Sequence, residues 1–100
     1  MADYFNKLSP EEHERISLLL EEMGEAQQII GKILRHGYES FHPADERKTT
    51  NRRLLEKELG HVRFAMIYLC DCNDLSKKEI HEHAKLKNLT VGKYLHHQRL

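Results

Sequence analysis

An all-α fold is what this sequence predicts, and three observations carry the prediction. Two long stretches place apolar residues at three- and four-residue intervals, the period of a helix with one buried face. Two Ser-x-x-Glu segments, Ser9-Pro10-Glu11-Glu12 and Ser76-Lys77-Lys78-Glu79, have the form of helix-starting capping boxes. No segment alternates apolar and polar residues as a half-buried strand would. At 100 residues the chain is one domain, with no room for a dinucleotide-binding pair or a barrel.

The elements follow in order. Helix one spans 9–36. Ser9 caps it, Pro10 occupies the first turn and Glu12 closes the box. Its stripe is Ile16, Leu19, Leu20, Met23, Ala26, Ile30, Ile33 and Leu34, and Gly37 after Arg35-His36 is a stop signal. Residues 37–50 (GYESFHPADERKTT) have no period and carry Gly, Pro and charge, so they form a loop. It is long for a compact domain, and long loops often serve function. Helix two spans 51–72, capped by Thr50 or Asn51, with the stripe Leu54, Leu55, Leu59, Val62, Ala65, Met66, Leu69 and Cys70. Short C-terminal helices occupy 76–98, where apolar positions are few. Two long helices and a thin third do not close a generous core. The sequence therefore predicts a four-helix bundle completed by self-association, a homodimer or homotetramer. A monomeric three- or four-helix bundle is the alternative.

Composition excludes several function classes. Sixteen basic residues balance sixteen acidic ones, so the net basic charge of a generic nucleic-acid binder is missing. No apolar run approaches the length of a membrane span, and the N-terminal residues, without an apolar core or cleavage pattern, do not read as a signal peptide. Cys70-Asp71-Cys72 is too close a pair for an ordinary disulfide, so a reduced, cytoplasmic protein is expected.

The most informative residues are acids on apolar faces. On a helical wheel Glu22 falls inside the apolar arc of helix one, flanked by Leu18 and Ile29, with Glu25 at its edge; Glu21 points to solvent. Glu58 lies within the apolar face of helix two, with His61 at its edge. A buried carboxylate must be paired, neutralised or bound to metal. If the two stripes pack together, the three carboxylates converge into an oxygen cluster suited to Mg²⁺ or Mn²⁺. The competing reading has Glu22 and Glu58 reaching past the core edge to Lys or Arg. Lys32 and His36 continue the Glu25 line, and Asn51 shares the Glu58 face seven residues earlier. Lys32 could hold a phosphate and Asn51 a phosphate or sugar; ordinary surface is the alternative for each. Arg47, Lys48, Arg52 and Arg53 flank the loop and could attract phosphates or simply face solvent. Zinc on Cys70, Cys72 and nearby His is disfavoured because the cysteines lack knuckle spacing.

The segments LLLEEMGEAQQIIGKILRHG and NRRLLEKELGHV, with Glu22-x-x-Glu25, Lys32 and Glu58, resemble the MazG-type all-α nucleoside triphosphate pyrophosphohydrolases. The family pattern is EExxE on one helix and ExxD on the next. The resemblance covers roughly Glu14 to Leu69, and the ending KYLHHQ also looks like the tail of short phage and bacterial members. It implies cleavage of a nucleoside triphosphate to monophosphate and pyrophosphate, in a dimer or tetramer. It further implies Glu22, Glu25 and Glu58 as Mg²⁺ ligands and Lys32 as a phosphate contact, with His36, Asn51 and Arg52 as further substrate-binding candidates. One position departs from the pattern. His61 stands where the family has its last acid, and Asp71 lies on the wrong face to replace it. Three readings follow: the three carboxylates suffice with His61 nearby, the metal preference moves toward Mn²⁺, or the pocket binds nucleotide without turnover. A small helical interaction protein is the alternative from a different class.

Overall fold

A computed structural model describes residues 5–98; residues 1–4, part of the segment read for a leader, and residues 99–100 lie outside the described residues. The described chain is all-helical, with no strand: α1 (Pro10–His36), α2 (Asn51–Asp71) and α3 (Lys77–Thr90), followed by one 3₁₀ turn, Val91–Tyr94. Among the described residues no helix is long and apolar enough to cross a membrane.

Local chemistry sets the ends. The Ser9 hydroxyl accepts from the Glu12 backbone N–H while the Glu12 carboxylate accepts from the Ser9 N–H, a complete capping box. Gly37, at φ 89°, lets the chain leave α1 as its N–H bonds to the Ile33 carbonyl. Thr50 caps α2 through the Arg53 N–H. At Ser76 half of the expected box forms: its hydroxyl accepts from the Glu79 N–H. The helix it starts runs to Thr90.

The 37–50 connection is a fitted cap on α2. The Asn51 and Arg52 N–H groups, which have no partner inside the helix, donate to the Ser40 and Tyr38 carbonyls at 2.8 and 2.9 Å. Asp45 accepts from the Arg47 and Thr49 N–H groups, which holds its carboxyl below the usual range.

α1 and α2 pack antiparallel. At one end Arg15 makes a two-pronged ion pair with Asp74 (2.6 and 2.9 Å); at the other the loop joins them. The buried apolar side chains of the described residues are Ala26, Ile29, Ala65 and Leu69. α3 packs chiefly against its own 3₁₀ turn and leaves a groove against α2 between Met66, Cys70, Ile80 and Ala84.

One hairpin leaves much apolar surface uncovered. Ile16, Leu20, Met23, Ile30 and Leu34 recur at one- and two-turn intervals and form a second stripe on α1, all more than 40% exposed. The accessible surface is 8623 Å² for an 11.9 kDa chain. A folded monomer of that mass exposes about 6,000 Å². The radius of gyration is 17.4 Å, against about 13 Å for a compact domain of this length.

Candidate metal centre

Midway along the hairpin α1 presents Glu22 and Glu25, one turn apart, and α2 presents Glu58 and His61, again one turn apart. The antiparallel packing sets the two pairs opposite each other. One ligand atom from each of the four side chains lies within 4.8 Å of the other three. Glu58 is 8% exposed, and with Asn51 it is one of two fully buried polar side chains among the described residues.

The cluster is under-compensated. Glu22 Oε2 and Glu58 Oε2 are buried and have no hydrogen-bond partner. His61 Nδ1 lies 3.4 Å from each of these oxygens, at ion-pair distance but without the alignment of a hydrogen bond. Lys57 Nζ approaches Glu58 Oε1 at 3.7 Å from a largely exposed position. The Glu25 carboxyl is pushed above its usual range, first by its hydrogen bond with Glu58 and then by the charge of Glu22. A proton shared between carboxylates is how such a site lowers its repulsion without a cation.

The alternative in which Glu22 and Glu58 reach cationic partners is met in part, by the Lys57–Glu58 Oε1 pair; Glu22 Oε2 and Glu58 Oε2 stay without a hydrogen-bond partner, each beside His61. Buried orphan acceptors cost free energy, and a divalent cation would satisfy both at once. Three carboxylates and one imidazole are a hard donor set with one borderline member. That set suits Mn²⁺ well and Mg²⁺ through its oxygens.

The remaining candidates divide. Lys32, His36 and Asn51 lie together, lining a cavity of about 350 Å³ between the end of α1, the loop and the start of α2. They are two helical turns from the carboxylates on the same side. Arg52 is not with them. It binds Glu39 at 2.7 Å and stacks over the Tyr38 ring at 4.4 Å, so its charge is spent on the loop. Its place on the wheel, well away from Glu58, explains the separation. The loop contributes cavity residues that the sequence does not single out, Phe41 and His42 among them, and α1 adds Arg35. The one signal in the sequence for the loop residues is the length of the loop. No family model matches this chain, and no curated protein or solved structure matches it significantly.

Proposed function

We propose that this protein is a divalent-cation-dependent nucleoside triphosphate pyrophosphohydrolase, with Glu22, Glu25, Glu58 and His61 as the metal site. The observation that carries the reading is the convergence of these four side chains around two buried, unpartnered carboxylate oxygens. The resemblance of the same residues to the MazG-type pattern supplies the reaction class.

A bound Mn²⁺ or Mg²⁺ would neutralise phosphate oxygens and acidify a water. The chain's own contribution is positional. Glu22 and Glu25 are fixed on one rigid helix and Glu58 on another, so the donor geometry is set before substrate arrives. Water attacks the α-phosphorus, the bond from that phosphorus to the α–β bridging oxygen breaks, and pyrophosphate leaves. The proton shed by the water passes to a carboxylate of the cluster. Lys32 faces the developing charge on the phosphates from two turns along α1.

The same reading includes self-association. Among the described residues the second stripe of α1 is an apolar face left largely open, and the surface excess of about 2,600 Å² over a compact monomer is of the size a stable subunit interface removes. A second copy would turn two helices into a four-helix core.

The test is to incubate purified protein with a panel of canonical and modified nucleoside triphosphates in Mg²⁺ and, separately, in Mn²⁺. Monophosphate and pyrophosphate are detected directly, with Glu22→Gln as the control. Both products, lost in Glu22→Gln, would support the reading. Nucleotide binding without turnover would assign the protein to the sequestering class, and neither binding nor turnover would sink both readings.

A further inference from the structure

We propose that the cavity beside the carboxylates is the nucleoside pocket of this site, with the Phe41 ring stacking on the base and the Asn51 carboxamide reading its edge. The inference rests on the nucleotide reading above and adds what recognises the base. Four features of the cavity carry it.

The first is size and lining. About 350 Å³ is the volume of a small-ligand pocket. Phe41, Pro43 and Leu54 give it apolar wall, set among polar groups that include Asn51 and His36, a mixture that suits a flat heterocycle carried on a charged ligand.

The second is Asn51. It is 5% exposed, yet it lines the cavity. One of its Nδ2 hydrogens is committed to the Gly37 carbonyl at 3.1 Å, which locks the side chain in place. That leaves the carboxamide oxygen and the second Nδ2 hydrogen as an acceptor–donor pair. Such a pair matches the hydrogen-bonding edge of a nucleobase.

The third is distance. Asn51 precedes Glu58 by seven residues and Lys32 follows Glu25 by seven, so both stand about 10 Å along the helix axes from the metal site. A cation held by the carboxylates would keep the phosphates near them. A ribose and base extend away from it and reach this far.

The fourth is charge. Lys32 and Arg35 bring two positive charges to the cavity and no acid is among its lining residues, which suits a ligand that carries phosphate next to its ribose. Phe41 is 40% exposed, so its ring is held by the loop with one part still open to a ligand.

The chain contains no tryptophan, so Phe41→Trp installs a single, selectively excited indole at the cavity while keeping an aromatic platform. The probes are the four common nucleoside monophosphates and inorganic pyrophosphate, each with Mn²⁺. At least one monophosphate should quench the indole of Phe41→Trp, and pyrophosphate should not. By calorimetry Phe41→Ala should weaken that monophosphate about tenfold, the loss of one stacked base, with pyrophosphate and Mn²⁺ affinities unchanged. Equal weakening of monophosphate and pyrophosphate would overturn the proposal by making the cavity a phosphate site. So would unchanged affinity for both, or the failure of any monophosphate to bind the wild-type protein. Monophosphate binding is read without turnover, so these outcomes stand apart from the hydrolysis assay. A protein that hydrolyses triphosphates with unchanged KM in Phe41→Ala keeps the hydrolase reading and loses the pocket.

Discussion

Replacing Glu58 by Gln should stabilise the metal-free protein and abolish its response to metal. Gln keeps the volume of Glu, so no cavity opens in the hairpin. It removes one charge from a buried set whose atoms lie within 4.8 Å of one another. Two unit charges at that separation repel by about 3.5 kcal/mol at an effective dielectric of about 20. His61 and Lys57, at 3.4 and 3.7 Å, offset part of the Glu22–Glu58 repulsion. The net gain from the substitution is then about 1–2 kcal/mol, helped by an amide N–H that can donate to the orphaned Glu22 oxygen. Saturating Mn²⁺ acts on the wild type in the opposite sense, adding about 2.7 kcal/mol at a hundredfold excess over Kd. The two proteins should exchange rank. Urea unfolding at neutral pH, after chelation and then in Mn²⁺, measures both arms. A Glu58→Gln protein less stable than wild type without metal would refute the account of a repulsive cluster. An equal stabilisation of both proteins by Mn²⁺ would refute the role of Glu58 in binding it.

Four further outcomes are expected. His61→Asp supplies a fourth carboxylate and should move the metal preference from Mn²⁺ toward Mg²⁺, by about ten- to hundredfold in the activity ratio; an unchanged ratio would remove His61 from the metal site. Leu69→Ala empties the largest fully buried side chain of the hairpin, 1% exposed, and should cost about 2–5 kcal/mol in urea unfolding at fixed protein concentration. Leu20→Glu with Leu34→Glu places charges on the open stripe of α1, and sedimentation should show an oligomer for wild type and a monomer for the variant; equal masses would contradict self-association through this face. The metal-free protein should also have a stability maximum in the mildly acidic range. Glu25 has a raised pKa, so its contribution is complete below the ordinary carboxylate range and is lost as pH rises through the folded value. Asp74, held by Arg15, and Asp45 have lowered values, so their contributions are present above that range and lost as pH falls through the folded values. Thermal melts across pH should lose the alkaline slope in Glu25→Gln and part of the acid slope in Arg15→Ala.

What was legible in the sequence was what local chemistry or helical period determines. Ser9, Pro10, Glu12 and Gly37 act on their own neighbours, so the ends of α1 could be read directly. Glu22 and Glu58 stood out because a charge inside an apolar arc violates the pattern around it, and violations of that kind gather at functional sites. The cavity was not legible, because it depends on how the loop returns. Phe41 and His42 lie in a stretch without period, and the backbone bonds from Asn51 and Arg52 to Ser40 and Tyr38 bring them over α2. Arg52 shows the same limit from the other side. In sequence it is one of several cations near the loop, and only the fold reveals Glu39 and Tyr38 as its partners. α3 has few apolar positions and is exposed over most of its length, so no stripe in the sequence marks where it ends; it stops at Thr90 and a 3₁₀ turn follows.

The proposed function stands or falls on whether Glu22, Glu25, Glu58 and His61 hold one metal ion between two helices. Electron paramagnetic resonance of Mn²⁺ titrated with the protein tests it most directly, since free Mn²⁺ gives a strong signal that binding removes. The account predicts loss of the free signal at one tight equivalent per chain, and its persistence when Glu22→Gln is titrated in place of wild type. Mn²⁺ that stays free in the presence of the wild-type protein, or that is bound equally by Glu22→Gln, would contradict it.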